Sequence, residues 1–340
     1  MKKVVQQHID HQYFPLGPSF LKIGTTIEFD CYIKRFKDYV VIIESGTQIT
    51  QELYDKICKH DRIYIEQSDR VELQKYREAN PDKKTETKSE EVPDVDKGVS
   101  IEDLGSQLSR RRLMDEKISL LYESGVTLVG RCLEAPENDL PMKDMMRYAK
   151  ILTDFIMVQK YRFEQLLSRM PNSYHETYHA VDVAILAAVL SKALNLTSRQ
   201  IEDIILAGLL HDIGKRRVDA SILSKETQLD EDEYEKVREH AMFSAQIVRD
   251  NKVNNPQILS AIRYHHEKLD GTGYPNALVG NQIPIMAQIL GVCDVFDALT
   301  TERTFRARYS SFEALKLMKR DMAREINTIY IDHLIMLLKK

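Results

Sequence analysis

The second half of the chain concentrates side chains that bind metal ions. Six of the ten histidines fall between residues 175 and 266. The clearest pattern is His211-Asp212, a polar pair that closes the strongly apolar segment Ile201–Leu210. Imidazole and carboxylate groups are costly to bury without a partner, and both are good ligands for divalent first-row metal ions. A metal ion at this point would satisfy both groups.

Two further predicted helices carry histidines. A helix over Tyr234–Val248 would contain His240, and a helix over Pro256–Tyr264 would end at His265 and His266. A lone buried histidine is more often hydrogen-bonded within a core than bound to a metal. Each position is therefore a weak signal when it is taken alone.

An acidic pair completes the set. Asp294 and Asp297 lie one turn apart on a helix predicted to begin at Pro284, because proline is favoured at a helix start. An acid on an apolar helix can simply cap or pair, but seven candidates on five successive helices exceed the three or four protein ligands of one catalytic ion. We therefore predict two metal ions, held by His179, His211, Asp212, His240, His265, His266 and Asp294.

Lys215 and a glycine-rich loop flank these ligands. Lys215 follows His211 by one turn, so its ammonium group projects from the same face and can hold a phosphate oxygen of a bound substrate. In the loop His266–Pro275, Gly271 and Gly273 permit positive φ and close backbone approach. A tight loop alone would explain these residues, but its place after the double histidine predicts a wall of the metal site.

The start of the first metal helix has two interpretations. A helix that begins at Ser173 places Glu176 three residues on, which is the spacing of a capping box. His175 and His179 are four residues apart and face the same way, whereas Glu176 is rotated by roughly 100° from His175. We therefore expect Glu176 to cap the helix and the centre to be binuclear, with His175 as the better source of any ligand for a third ion.

These residues require a large helical domain to position them. Apolar residues recur with helical spacing over 101–340, and residues 80–100 form a charged stretch that predicts a mobile linker. Residues 1–79 resemble a small α+β unit, so the fold class is mainly α with a small α+β N-terminal domain. The predicted elements of that unit are strands over Thr25–Ile33 and Tyr39–Glu44, a helix over Gln51–Lys59 and a strand over Ile63–Ile65.

Composition excludes several classes of function. The 340 residues are 43% hydrophobic and carry a net charge of −4, which suits a two-domain globular protein and argues against a nucleic-acid binder. No run reaches the roughly 18 apolar residues that span a bilayer, and the N-terminus lacks a secretory signal. Four scattered cysteines predict reduced thiols and a cytoplasmic protein. They are Cys31, Cys58, Cys132 and Cys293.

The motifs together resemble the HD-GYP family of the HD phosphohydrolase superfamily, over about residues 173–306. The similarity rests on HAVDVA at His179, LLHDIGK at His211, EHAMFSA at His240, HHEKLDGTGYP at His265 and VCDVFDALTTER at Asp294. The resemblance implies an all-helical bundle with two or three divalent ions, commonly iron or manganese. It also implies that the chain is a phosphodiesterase that cleaves cyclic di-GMP to pGpG or GMP.

The resemblance also assigns roles to residues. His179, His211, Asp212 and Asp294 match the superfamily's metal ligands, and Lys215 matches a lysine near the scissile phosphate. The ligands that match those of the second ion are His240, His265 and His266.

The expected mechanism is in-line attack on phosphorus by a hydroxide that bridges the two ions. Asp212 would bridge the ions, and Lys215 would stabilise the charge of the transition state. Arg303 is a candidate phosphate clamp, although a surface salt bridge explains it nearly as well. The remaining candidate substrate contacts are Gly273, Tyr274 and Pro275.

Two departures from the family pattern keep alternatives open. Arg303–Arg306 reads Arg-Thr-Phe-Arg where the family has Arg-Pro-Tyr-Arg, and His175 replaces the glutamate of trinuclear members. The Arg303–Arg306 departure supports one alternative, a catalytically weak cyclic di-GMP receptor that signals through the N-terminal domain, and the His175 departure leaves the metal count open. The other alternative is a different substrate, such as a nucleoside triphosphate, guanosine tetraphosphate or another cyclic dinucleotide. Signalling partners at the GYP loop (residues 266–275) or the N-terminal domain, and a homodimer, are left open.

Overall fold

The computed structural model describes residues 13–16, 21–35, 38–57, 63–80, 100–159, 161, 163–171, 174–225, 229–302 and 308–339. The chain divides into two compact units, Met1–Glu91 with Glu302–Arg308 and Val92–Thr301 with Tyr309–Lys340. Most of the predicted linker, together with Ser173, Arg303 and Cys58, lies outside the described residues. The domain boundaries at 79 and 101 stay predictions.

The first unit is built on an antiparallel sheet. Its strands lie in the order β1-β4-β2-β3, and Ile63 and Ile65 of β4 alternate into a core with Phe29. The sheet and its two helices, α1 and α2, confirm the predicted small α+β fold. The elements are β1 (Tyr13–Leu16), β2 (Cys31–Arg35), β3 (Asp38–Ile43), α1 (Gln51–Ile57), β4 (Ile63–Glu66) and α2 (Arg70–Ala79).

One predicted strand of this unit is only partly correct. The strand predicted over Thr25–Ile33 begins at Cys31, and Thr25 and Ile27 instead form backbone hydrogen bonds with the turn at 46–49. Ile27 and Phe29 are buried, at 0% and 1% exposure. The alternation in the sequence therefore reports burial of side chains in a segment that is not part of the sheet.

The second unit is built from helices joined by loops, as predicted. None of its described helices is long and apolar enough to cross a bilayer. Its helices are α3 (Ile101–Arg110), α4 (Met114–Glu134), α5 (Met142–Val158), α6 (Phe163–Leu167), α7 (Glu176–Ala193), α8 (Ser198–Leu210), α9 (Ala220–Leu223), α10 (Glu231–Arg238), α11 (His240–Asp250), α12 (Pro256–Tyr264), α13 (Ile285–Thr300), α14 (Ser311–Asp321) and α15 (Thr328–Leu338).

Helix α7 forms the centre of this bundle. It is apolar almost all round, which is typical of a helix buried on every side, and it packs against α4, α8 and α13. Gly208 lets α8 approach closely, because a Cβ atom there would lie 2.7 Å from Ala184 Cα. A capping box of Thr197 and Gln200 starts α8.

The helix predicted over Tyr234–Val248 is wrong in one respect. It is divided into α10 and α11 at Glu239. His240 Nδ1 lies 2.6 Å from the Val237 carbonyl oxygen, so a ring nitrogen takes an acceptor that a continuous helix would use. The break places His240 at the first position of α11, facing the other histidines.

Candidate metal centre

The structure brings all seven predicted ligands together as two neighbouring groups. Within each group the ligand atoms lie within 4.8 Å of one another. The groups are formed by different helices of the bundle, so the tertiary fold and not a local motif assembles them. One group is Asp212, His240, His265 and His266, and the other is His179, His211 and Asp294.

Helix ends orient three of the histidine rings. The rings of His211 and His265 follow the last turns of α8 and α12, where backbone carbonyls lack a partner in the helix. Each Nδ1 donates its proton to a carbonyl three residues earlier, so Nε2 keeps the lone pair that binds a metal. These bonds are His211 to Gly208 at 2.8 Å, His240 to Val237 at 2.6 Å and His265 to Ile262 at 2.6 Å.

Asp212 connects the two groups. Its Oδ1 lies 3.2 Å from His240 Nε2, in the first group. Its Oδ2 lies 3.5 Å from His179 Nε2 and 3.3 Å from His211 Nε2, in the second. One carboxylate thus turns one oxygen to each group, which is the arrangement expected of a ligand that bridges two ions.

The donor set fits divalent cations. Among the described residues, His211 Nε2, His265 Nε2 and Asp212 Oδ1 are buried atoms without a hydrogen-bond partner. His266 Nε2 lies only 3.2 Å from His240 Nε2. Burial and the neighbouring histidines lower the pKa of His265 well below its usual value, and burial lowers that of His266 to about 3. Neutral imidazoles facing each other in a buried site are suited to hold a metal ion.

The acidic ligands are ionised. Burial alone would raise the pKa values of Asp212 and Asp294. The neighbouring histidines, together with Lys215 at Asp212, outweigh burial and hold both pKa values well below the usual range. Lys215 Nζ lies 2.5 Å from Asp212 Oδ2, and this ion pair raises the pKa of Lys215 against the effect of its own burial. The ammonium group is therefore charged and lies beside the ligands.

Gly214 allows the turn that carries Lys215 to pack closely against α11. The residue lies in a 3₁₀ turn over Ile213–Arg217, and its N–H donates to Ser244 Oγ over 2.8 Å. A Cβ atom at Gly214 would lie 2.3 Å from His240 O and 2.4 Å from Ser244 N. Only glycine allows this close approach between the turn and α11.

The GYP loop covers one side of the first group. The Tyr274 ring lies over His266, with 4.7 Å between the ring centroids. The Arg238 guanidinium carbon also lies 4.7 Å from the centroid of the Tyr274 ring. A Cβ atom at Gly273 would lie 2.3 Å from Lys268 N, so this glycine is required by close approach. The loop therefore lies against the first ligand group.

A buried carboxylate that was not predicted as a site residue shapes the GYP loop. Glu267 accepts hydrogen bonds from the backbone N–H groups of Asn276 at 2.7 Å and Leu278 at 2.8 Å. At 7% exposure, its charge is satisfied by the loop that it folds. Its place within the motif, next to the double histidine, is the signal that could have found it.

The predicted start of the first metal helix, at Ser173 with Glu176 closing a capping box, is wrong. Helix α7 begins at Glu176, and His175 is its N-cap, with Nδ1 accepting from Thr177 N at 3.3 Å. Glu176 is the first helical residue, so it cannot close a capping box from the third position. Among the described residues, neither His175 nor Glu176 joins a ligand group. The binuclear count stays a prediction, and Arg303 lies outside the described residues.

Sequence reasoning placed Asp297 one turn from Asp294 but gave it no role. Asp297 Oδ2 lies 2.7 Å from His179 Nδ1, so it fixes the ring that presents Nε2 to Asp212 and Asp294. Burial opposes protonation of His179, but hydrogen bonds to these three carboxylates raise its pKa well above the usual value. A carboxylate that holds the far nitrogen of a metal-binding histidine is common at metal sites.

Comparison with known proteins agrees with this geometry. The family model described as HD domain matches residues 151–327, more than half of the chain. A cyclic di-GMP phosphodiesterase of Pseudomonas aeruginosa, PA4108, is 37% identical over 45% of this chain and 37% of its own length. A 3'3'-cGAMP-specific phosphodiesterase of Vibrio cholerae, number 3, is 37% identical over 44% of this chain and 32% of its own length.

A solved structure shares the fold more widely. Bd1817 of Bdellovibrio bacteriovorus, described as an HDG"Y"P protein, aligns over 96% of this chain and 100% of its own, with a TM-score of 0.58 and 20% identity. The chain spans about a third of the length of the two sequence relatives described above. The matches confirm the resemblance that the motifs indicate, and an HD domain implies a site for divalent metal ions. The chain belongs to the HD domain family.

Proposed function

We propose that this chain is a phosphodiesterase that binds two divalent ions, iron or manganese, and hydrolyses cyclic di-GMP to pGpG or GMP. The observation that carries the proposal is the pair of ligand groups joined by Asp212, one oxygen to each group. Two adjacent ions are the arrangement that clamps the attacking and leaving oxygens of a phosphoryl centre. The family membership and the named activities of the relatives support the same class of reaction.

Different residues of the chain have different roles in the proposed reaction. His179, His211 and Asp294 would hold one ion, and His240, His265 and His266 would hold the other, with one Asp212 oxygen facing each group. Bound ions supply a water of lowered pKa and positive charge at the phosphate oxygens. Lys215 adds its ammonium to the same side, where it stabilises the negative charge that grows on the phosphate in the transition state.

The GYP loop supplies a surface for a nucleobase. Tyr274 presents an aromatic ring beside His266, and bases stack on such rings with a gain of about 1–3 kcal/mol each. Gly273 and Pro275 keep that ring in place at the edge of the site. The Arg238 guanidinium, which lies over the Tyr274 ring, adds a cation to the GYP loop that can hold a phosphate oxygen.

The choice between cyclic dinucleotides is a separate question. The relatives at 37% identity include enzymes named for cyclic di-GMP and for 3'3'-cGAMP. The double histidine and Gly273-Tyr274-Pro275 favour a cyclic dinucleotide over a nucleoside triphosphate. We expect cyclic di-GMP to be the better substrate, and a competition assay with equal amounts of both compounds measures the preference.

The receptor alternative rests on Arg303–Arg306, which lies outside the described residues. A single-turnover experiment separates it from the enzyme. Protein loaded with Mn²⁺ or, without oxygen, with Fe²⁺ is mixed in excess with cyclic di-GMP, and the products are resolved by chromatography. Conversion to pGpG or GMP supports the enzyme, whereas intact cyclic di-GMP that stays bound to metal-loaded protein would establish the receptor.

A further inference from the structure

A chain of buried polar side chains leads away from the metal centre to a helix outside the matched family region. It begins at His179, passes through Asp297 on α13 and Asp182 on α7, and ends at Tyr122 on α4. Tyr122 is 7% exposed, and the two acids are each 2% exposed. The family match begins at residue 151, so Tyr122 lies before it. The proposed reaction uses neither Tyr122 nor Asp182.

The first and the last link of this chain are hydrogen bonds. The Tyr122 hydroxyl donates to Asp182 Oδ1 over 2.7 Å. The Asp182 and Asp297 carboxyl groups interact electrostatically, and Asp297 Oδ2 lies 2.7 Å from His179 Nδ1. The three helices are thereby connected to one ring nitrogen, and the other nitrogen of that ring faces Asp212 and Asp294 at 3.5 and 3.2 Å.

The contact between the two acids requires a proton. Ionised carboxylates only accept hydrogen bonds, so two of them can join only when they share one proton. Burial, followed by the charge of Asp297, raises the pKa of Asp182 well above its usual value, which places that proton on Asp182. A protonated Asp182 can donate to Asp297, whose Oδ2 faces His179 Nδ1 at 2.7 Å.

We propose that Asp182 and Tyr122 are positioning residues for His179, which hold its ring in place through Asp297 and direct its Nε2 to a metal ion. The inference rests on the proposed metal centre. A purely structural role would need only that each buried polar group be satisfied. A positioning role predicts in addition that metal affinity depends on the hydrogen-bond donors of Tyr122 and Asp182. The partners of a metal-binding histidine control its affinity for the metal.

Asp182 allows a sharp test through two substitutions. In Asp182→Asn the amide can donate to Asp297 while its oxygen accepts from Tyr122, so the chain of bonds survives. In Asp182→Ala both bonds are lost. We expect calorimetric titration of metal-free protein with Mn²⁺ to give wild-type affinity for Asp182→Asn and about tenfold weaker affinity for Asp182→Ala. Equal affinities of the two variants, whether both retained or both weakened, would overturn the proposal.

Tyr122 has a matched control in the same bundle. Tyr148 on α5 is fully buried, and its hydroxyl donates to the Leu121 carbonyl oxygen over 2.9 Å. The acceptor is a backbone carbonyl and not a carboxylate of the chain that leads to His179. Loss of one hydrogen bond in Tyr122→Phe should weaken Mn²⁺ binding about threefold, whereas Tyr148→Phe should bind as wild type. The same loss in both phenylalanine variants would overturn the role of Tyr122, and this pair decides the matter if Asp182→Ala does not fold.

The titrations also separate this inference from the proposed function. Wild-type protein that binds no Mn²⁺ would contradict the metal centre itself. Wild-type protein that binds two Mn²⁺ ions, with unchanged affinity in Asp182→Ala and Tyr122→Phe, would contradict only the positioning role. Thermal unfolding of each variant without metal shows whether a change in affinity follows from loss of the fold.

Discussion

Substitution of Lys215 by methionine separates use of the metal ions from their binding. Lys215 is 20% exposed and lies 2.5 Å from Asp212 Oδ2, so its charge is close to the ligands but is not one of them. Methionine keeps the length of the apolar stem and removes only the ammonium. The ligand atoms of both groups are unchanged, so we expect the metal content to be unchanged.

The expected loss of rate follows from the charge. Two unit charges about 4 Å apart interact by about 4 kcal/mol at an effective dielectric constant of about 20, which suits a partly buried site. Only part of a unit charge is added to the phosphate in the transition state. The loss of transition-state stabilisation in Lys215→Met should therefore not exceed about 4 kcal/mol. Removal of one donor that stabilises such charge costs about 10²–10³ in kcat.

The assay compares kcat for cyclic di-GMP with metal content by mass spectrometry. Lys225→Met is the control, because Lys225 also forms a 2.5 Å ion pair, with Glu233, and is 33% exposed. We expect the control to keep both rate and metal. Loss of metal in parallel with activity in Lys215→Met would refute the role given to this lysine, and so would a full rate.

Three further predictions concern the ligands, the turn and the domains. Asp212→Asn and His211→Ala should lose metal and activity while circular dichroism shows intact helices; full turnover by purified Asp212→Asn would contradict the site. Gly214→Ala should lower the free energy of unfolding in urea by about 1–3 kcal/mol and weaken metal binding, because of overpacking. Gly105→Ala, with nothing within 4 Å of its Cβ, should be neutral or stabilising by up to about 1 kcal/mol; equal destabilisation of both would refute the packing argument. A fragment over 101–340 should fold as a helical protein and hydrolyse cyclic di-GMP, and an unfolded fragment would count against the boundary.

The ligand set could be predicted because its chemistry is visible in residue types. His211-Asp212 and His265-His266 stand at the ends of apolar helices, where imidazole and carboxylate groups are costly to bury without a partner. Their number alone predicts two ions, and the structure adds the orientation of Asp212. The fold class could be predicted for a similar reason, since helical spacing dominates the chain after residue 100.

Two helix boundaries were predicted wrongly because a histidine side chain forms a hydrogen bond with the backbone at the end of a helix. His240 takes the Val237 carbonyl and marks the break between α10 and α11, and His175 caps α7 in the place of a serine. Histidine is an uncommon capping residue, so sequence preferences pointed to Ser173 instead. These two deviations from ordinary helix rules lie beside the metal centre.

Other features depend on contacts that spacing cannot reveal. Tyr122 and Asp182 are 60 positions apart, and only the packing of α4 against α7 brings them together. An acid inside an apolar run, three residues after His179, was the available signal for Asp182. Helix α2 was not predicted because it is mostly polar, with Leu73 and Tyr76 as its buried apolar residues.

The most direct test of the account is metal analysis of protein purified without oxygen, coupled to identification of the products from cyclic di-GMP. The account predicts two divalent ions per chain and metal-dependent release of pGpG or GMP, both abolished by a chelator and restored by Fe²⁺ or Mn²⁺. Protein that binds no divalent ion, or that carries two ions and leaves cyclic di-GMP and 3'3'-cGAMP intact, would contradict it.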